Sequence, residues 1–221
     1  MYNNRGLLWK LERRIGKFAI KNLMTYIVIT MAVVFAVDLL MQDFNLSFHL
    51  FFFTPLIMAG EVWRVITFIF LPPSASPIFI IFSLYFYYMI GGALENEWGT
   101  FKFNVYYFCG VLATIAAGFI MHAAGPFGLM TNFYLNMSLF FAFAILYPNF
   151  QVRLFLILPI KVKWLALLNA AFFIYSLIDG DRYSRIAILV SLVNLALFFG
   201  KDLYKMIERW HRKNKWKRNL R

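Results

Sequence analysis

The sequence predicts an all-α integral membrane protein with six transmembrane helices, and three observations lead to that prediction. Hydrophobic residues make up 62% of the 221 residues and charged residues only 14%, whereas soluble domains have roughly 25% charged residues. Six apolar segments are each long enough to cross a bilayer. The basic residues gather in alternate connections between these segments, a pattern typical of chains whose loops alternate between two compartments.

The six apolar segments follow one another with short connections, apart from the first pair. A spanning helix needs about 20 mostly apolar residues, because the hydrocarbon core is about 30 Å thick. The predicted spans cover residues 22–40, 77–94, 101–121, 128–147, 162–177 and 183–200. They form one membrane domain (residues 22–200) between a basic N-terminal segment (residues 1–21) and a basic C-terminal tail (residues 201–221).

Charge sets the expected orientation and partners. The net charge is +12, and most basic residues lie at the two ends of the chain and between the fourth and fifth spans. The positive-inside rule places both termini in the cytoplasm, and we expect a bacterial inner membrane. We also expect the lipid bilayer as a partner, with anionic lipid at the basic ends, and no nucleic-acid partner. The single cysteine, Cys109, excludes an internal disulfide, and no cofactor or metal is expected.

The first connection, residues 41–76, is too apolar for a loop exposed to water. Pro55 and the Gly60–Glu61 pair interrupt it before it could form a spanning helix. Non-helical backbone at membrane depth is tolerated only where it packs on protein or lines a cavity. We therefore expect an interfacial, partly re-entrant element beside the bundle. A seventh span is the alternative, which the charge distribution disfavours.

Three motifs occur in order along the chain. Residues 60–67 read G-x-x-W-R-x-x-T, and the second span ends in LENEWGT at residues 94–100. Further on, YPN at residues 147–149 leads to LPIKVKWLA at residues 158–166. In this order and on this number of spans, the motifs resemble those of rhomboid intramembrane proteases and derlins. The resemblance covers residues 23–200 and implies a six-helix rhomboid-like bundle with an interfacial first loop.

The motif residues also have structural roles that their chemistry indicates. Trp63 can anchor at the headgroup level, and Arg64 can snorkel or donate hydrogen bonds to loop carbonyls. After the tight turn that a glycine permits, Thr100 is a candidate N-cap for the third helix. The motif residues for which we expect structural roles are Trp63, Arg64, Glu95, Trp98 and Gly99.

The resemblance also implies which catalytic residues a rhomboid protease needs, and this sequence lacks them. Such a protease needs a serine within Gly-x-Ser-Gly in the fourth span, a histidine in the sixth, and histidine and asparagine donors in the second. Here the fourth span offers only Ser138, without that motif, and the sixth has no histidine. A serine hydroxyl is a weak nucleophile without a base. We therefore expect no catalytic residues, and a pairing of Ser138 with His122 is disfavoured.

The resemblance therefore implies a catalytically degenerate, derlin-like protein that binds transmembrane segments of other membrane proteins, in quality control or trafficking. The polar residues available inside the bundle are Ser83, Asn132, Asn136, Ser138 and Asn194. Ordinary interhelical hydrogen bonding is the alternative role for these five side chains. An intramembrane serine protease with an atypical site is the alternative function. A small transporter is less favoured, because the spans carry no charged residues at mid-membrane.

Overall fold

The computed structural model describes residues 7–41, 45–74, 76–125, 129–154, 158–181, 184–196 and 198, and these residues are mostly helical. The first helices are α1 (Leu7–Ile15), α2 (Leu23–Leu40), α3 (Leu46–Leu50), α4 (Thr54–Met58) and α5 (Arg64–Thr67). The later helices are α6 (Pro77–Trp98), α7 (Thr100–Ala124), α8 (Phe133–Leu146), α9 (Val162–Asp179) and α10 (Ser184–Ala196). The predicted C-terminal tail, residues 201–221, lies outside the described residues.

Four helical segments are long and apolar enough to cross a membrane, as expected of a multi-pass membrane protein. They are Leu11–Leu40, which includes α2, and the helices α6, α7 and α9. The helices α8 and α10 are apolar but shorter. The bounds of α2, α6, α7 and α9 agree with the predicted spans to within a few residues, because each is a long run of apolar side chains that no proline interrupts.

The fourth predicted span, residues 128–147, differs most from the structure, where the helix begins at Phe133. Leu129 and Met130 instead form strand β2, which pairs antiparallel with strand β1 (Phe52–Phe53) of the first connection. Hydropathy assigns these residues to the helix because they are apolar. Their pairing with a strand more than 70 residues earlier in the chain removes them from it.

The first connection contains no spanning helix over its described residues 45–74. It consists of α3, β1, α4, α5 and a 3-10 turn (Phe68–Phe70), and none of these elements is longer than five residues. Helix α3 packs against α2, and α4 packs against α7. The connection is therefore an element packed beside the bundle, and a seventh span is excluded for these residues.

A second small sheet lies in the connection between α8 and α9. Strands β3 (Gln151–Leu154) and β4 (Leu158–Lys161) pair antiparallel, with Val152 opposite Ile160. The sequence prediction of a purely helical protein missed both two-stranded sheets. Each strand is only two or four residues long, which is too short for a clear alternating pattern.

Helix α8 lies at the centre of the bundle. Nine of its 14 residues are buried, and it packs against α6, α7 and α9. Helix α9, by contrast, leaves Leu167, Leu168 and Phe172 exposed. Contiguous exposed apolar side chains are unfavourable in water, and a bilayer provides the surroundings that such an outer helix requires.

Candidate functional site

A cavity of about 690 Å³ lies between the first connection, α6 and the start of α8. Its volume falls in the range typical of small-molecule and cofactor sites. Aromatic and polar side chains line it together, among them Phe48, Phe51, Ser83, Tyr87, Asn132 and Phe133. Three separate parts of the chain therefore have to be held in place to form this cavity.

Arg64 holds one wall of the cavity. Its side chain is 1% exposed, and Nη1 donates hydrogen bonds to the carbonyls of Phe48 (2.8 Å) and Phe51 (3.1 Å). Nε donates to the carboxylate of Glu61 at 2.6 Å. A guanidinium presents its N–H donors in a rigid fork, so one side chain ties α3 and the residues after it to α5. Of the two roles that its chemistry allows, Arg64 here donates hydrogen bonds to carbonyls of the first connection.

Asn132 holds a second wall. It is 4% exposed, and its Nδ2 donates to the carbonyls of Ile69 (3.1 Å) and Leu71 (2.8 Å). These bonds tie the residue before α8 to the end of the first connection. Ser83 reaches the same cavity from α6. Two of the five predicted polar residues, Ser83 and Asn132, therefore line the cavity.

Asn136 lies one helical turn after Asn132 and is 1% exposed. Neither Nδ2 nor Oδ1 has a hydrogen-bond partner among the described residues. The hydroxyl of Tyr87, which lines the cavity, lies near this amide without the geometry of a normal hydrogen bond. The buried hydroxyl of Tyr107 likewise has no partner in the described part of the chain. Buried polar groups are almost always hydrogen-bonded, so Asn136 and Tyr107 have unused hydrogen-bonding capacity inside the bundle.

The other two predicted polar residues, Ser138 and Asn194, meet between α7, α8 and α10. The Tyr106 hydroxyl forms a hydrogen bond with Ser138 Oγ and donates to the Ser138 carbonyl at 3.0 Å. Asn194 Nδ2 donates to Ser138 Oγ at 3.3 Å. Nearby, Ser191 Oγ donates to the carbonyl of Tyr134 at 2.9 Å. This group forms interhelical hydrogen bonds, the alternative role expected for such residues.

Sequence reasoning missed three buried tyrosines in and near these groups. Tyr87, Tyr106 and Tyr107 are buried inside apolar helices. The available signal was a tyrosine in the middle of a predicted span, because a buried phenolic hydroxyl needs a hydrogen-bond partner.

The contacts of Ser138 limit its chemistry. A phenol and an amide cannot accept the serine proton at neutral pH, and nucleophilic catalysis by serine requires a base that can. The described residues hold no group of three or more His, Cys, Asp and Glu side chains that could bind a metal. The cavity offers hydroxyl and amide groups among aromatic rings, which suits binding of an apolar segment that carries a polar group.

Glu95 joins three helices where α6 meets α7. Its Oε1 accepts hydrogen bonds from the backbone N–H of Asn22 (3.0 Å) and the hydroxyl of Thr100 (2.9 Å). Gly99 lies between α6 and α7 and has a φ of +82°, a backbone conformation that favours glycine. The prediction that Thr100 caps α7 is wrong. It is the first residue of the helix and forms no capping bond, because its hydroxyl is bound to Glu95.

The two motif tryptophans have different surroundings. Trp98 is half-buried and packs edge-on against Tyr106, with 5.3 Å between ring centroids. Trp63 is 51% exposed, and its Nε1 donates to the carbonyl of His49 at 3.3 Å. A half-exposed indole with a bonded N–H is what a residue at the headgroup level requires.

A scan against protein-family models finds none that matches this chain, and a search of curated proteins finds no matching relative. The resemblance to rhomboids and derlins therefore rests on the three sequence motifs and their order.

Proposed function

We propose that this chain is a non-proteolytic, rhomboid-like and derlin-like membrane protein that binds transmembrane segments of other membrane proteins. The observation that carries the proposal is the cavity beside the first connection. Phe48 and Phe51 give it apolar walls, while Ser83 and Asn132 add polar groups. A membrane segment with a polar residue fits such a lining, because that residue gains hydrogen-bond partners that hydrocarbon does not provide.

The positions of the motifs support a rhomboid-like arrangement. The Trp-Arg motif lies at the start of α5, the second motif ends α6, and the third leads into α9. We propose that α2, α6, α7, α8, α9 and α10 are six spans of a bacterial inner membrane protein with both termini in the cytoplasm. The central position of the short helix α8 supports this arrangement, since a helix surrounded by protein need not match the bilayer thickness.

The surroundings of the fourth and sixth spans support the non-proteolytic part of the proposal. Counting back from Pro148, the nucleophile position of the resemblance falls at Phe133 or Tyr134. Helix α10 presents Ser191 to the carbonyl of Tyr134, and a serine cannot serve as the base that a protease requires. The nearest serine, Ser138, is occupied by its two neighbours.

Photocrosslinking in liposomes tests the binding function. The photoreactive residue p-benzoylphenylalanine replaces Phe133 at the cavity or, as a control, Ile29, which is exposed on α2. The probe is a fluorescent polyleucine transmembrane peptide with a central asparagine, compared with its all-leucine counterpart. We expect crosslinking at position 133 that favours the asparagine peptide, and only background at position 29. Equal crosslinking at the two positions would contradict the proposal.

A cleavage assay separates this function from an atypical protease. The reconstituted protein and its Ser138→Ala variant are incubated with a fluorescent transmembrane rhomboid substrate and a serine-directed fluorophosphonate probe. We expect neither cleavage nor labelling, because Ser138 contacts only hydroxyl and amide groups in its hydrogen bonds. Cleavage that disappears in the Ser138→Ala variant would establish the protease instead.

A further inference from the structure

Helix α1 is amphipathic. Its sequence, LLWKLERRI, places Leu11 and Ile15 one turn apart on one face, whereas Arg13 lies at the opposite face and Arg14 is in the last turn. Lys17 follows in the 3-10 turn (Gly16–Phe18) after the helix. An apolar face bordered by basic side chains is typical of helices that lie in the plane of a membrane surface.

Three apolar side chains at the end of α1 and in the turn after it are partly exposed in the described chain. Leu11 is 40% exposed, Ile15 is 46% exposed and Phe18 is 73% exposed. The main contacts of α1 are with the 3-10 turn that follows it. A helix of nine residues is marginal in water without tertiary packing on its apolar face. The exposed part of these side chains is therefore open to a partner outside the described residues.

Hydrogen bonds from other helices hold the joint between α1 and α2. Asn104 on α7 accepts a hydrogen bond from the N–H of Ile20 and donates one to its carbonyl, both at 2.9 Å. Glu95 on α6 accepts a bond from the N–H of Asn22 at 3.0 Å. Asn22 has a φ of +53°, in the left-handed region. Residues 16–22 therefore interrupt the helix between α1 and α2, and these contacts hold the interruption in place.

We propose that α1 binds anionic lipid headgroups and lies on the membrane surface at the end of the bundle where α6 meets α7. Leu11, Ile15 and Phe18 enter the boundary between headgroups and acyl chains, and Arg14 and Lys17 contact the lipid phosphates. Charge complementarity selects this partner, since the segment from Lys10 to Lys21 contains five basic residues and a single acidic one, Glu12. The surface is also adjacent, because residues 16–22 join α1 to α2, which makes up most of a segment long and apolar enough to span.

Site-directed spin labelling of the full chain tests this inference. In a Cys109→Ala background, a nitroxide is attached to Ile15→Cys on the apolar face or to Arg13→Cys on the opposite face. Collision with oxygen and with a water-soluble nickel chelate is measured in liposomes of phosphatidylcholine alone or with phosphatidylglycerol. We expect the label at position 15 to be protected from the chelate in anionic liposomes, and the label at position 13 to stay accessible to it.

A charge variant provides the second measurement. Each basic residue near an anionic surface strengthens binding to that surface about fivefold. The double variant Arg14→Gln, Lys17→Gln should therefore increase the accessibility of the label at position 15 to the chelate at least severalfold in anionic liposomes. A label at position 15 that is equally accessible in both lipids would overturn the inference. Protection of both positions in both lipids would also overturn it, and would indicate that protein rather than lipid covers α1. Either result leaves the cavity crosslinking, and thus the proposed function, unaffected.

Discussion

The buried guanidinium of Arg64 replaces water with three protein acceptors, which are the carbonyls of Phe48 and Phe51 and the carboxylate of Glu61. The central carbon of the guanidinium, Cζ, also lies 5.2 Å from the centroid of the Phe51 ring. A buried charge is tolerated only when it is paired and hydrogen-bonded, and each of these contacts meets part of that requirement. At the residue scale, one side chain thus determines where the first connection sits and gives the cavity its wall.

Replacing Arg64 with alanine should destabilise the protein by about 3 kcal/mol, because two carbonyls of the first connection lose their donor and Glu61 loses its partner. Arg64→Lys should fall between this variant and the wild type, since an ammonium is a point charge without the fork of donors. The free energy of unfolding is measured in mixed micelles of a mild detergent and SDS. Lys102→Ala, at an exposed residue of α7, is the control and should change stability by less than about 0.5 kcal/mol. An Arg64→Ala variant as stable as the control would refute this role.

At the element scale, the close packing of α2 on α6 requires a residue without a side chain at Gly91. A Cβ on Gly91 would lie 2.3 Å from the Cβ of Met24 and 2.4 Å from its Cγ. The Cβ of Met24 is attached to the backbone of α2, so it cannot move aside by changing rotamer. Gly92, the next residue along α6, has no atom within 4 Å of its Cβ position. The two adjacent glycines therefore have opposite structural roles.

The adjacent glycines provide a matched pair of variants. Gly91→Ala should destabilise the protein by about 1–3 kcal/mol, because overpacking forces α2 away from α6. Gly92→Ala should be neutral or stabilise by up to about 1 kcal/mol, because alanine has the higher helix propensity. Unfolding in mixed micelles measures both variants. Equal effects of the two substitutions would show that α2 does not approach α6 at Gly91.

The joint between α1 and α2 also belongs to the element scale. Asn104 is 5% exposed and bonds both backbone groups of Ile20. We expect Asn104→Ala to free that joint, at a cost of about 1 kcal/mol for each of the two lost hydrogen bonds. Hydrogen exchange at the Ile20 amide should become faster, whereas Asn96→Ala, an exposed residue of α6, should leave it unchanged. An unaltered exchange rate in Asn104→Ala would mean that other contacts hold the joint.

In the whole molecule, polar side chains are buried in the central helix and apolar side chains are exposed on the outer helices, the reverse of the pattern in a soluble protein. Polar side chains such as Asn136 and Ser138 are buried in the central helix α8, while Leu168 of α9 is 69% exposed. In water this arrangement would leave a large apolar surface uncovered. In a bilayer it keeps these polar groups inside the protein and turns apolar groups toward lipid.

The proposed topology predicts which loops face each side of the membrane. Single cysteines replace Met58, Asn149 or Asp179, all exposed, in a Cys109→Ala background. With six spans and cytoplasmic termini, a membrane-impermeant maleimide should label intact cells at positions 58 and 179. Position 149 should react only after the membrane is permeabilised, because it lies between the fourth and fifth spans. Labelling of all three positions in intact cells would rule out this topology.

Local patterns predicted the long helices and the interrupted first connection, but they missed the short strands. The apolar runs of α2, α6, α7 and α9 appear in the sequence because helix formation and hydropathy depend on residues close together in the chain. The strand pair β1–β2 depends on contacts between residues far apart in sequence, and no local pattern reports them. For the same reason, the shortened start of α8 and the cavity beside it were not predicted.

The candidate site shows the same division. Asn132 and Asn136 are the same residue type one turn apart, yet one bonds two loop carbonyls and the other has no partner among the described residues. The sequence by itself determined that this protein is helical and apolar enough for a membrane, and it indicated that Ser138 has no obvious base. The tertiary structure decided which polar groups meet and where the cavity opens. The physical reason is that composition and periodicity are properties of neighbouring residues, whereas a site is formed by side chains that only folding brings together.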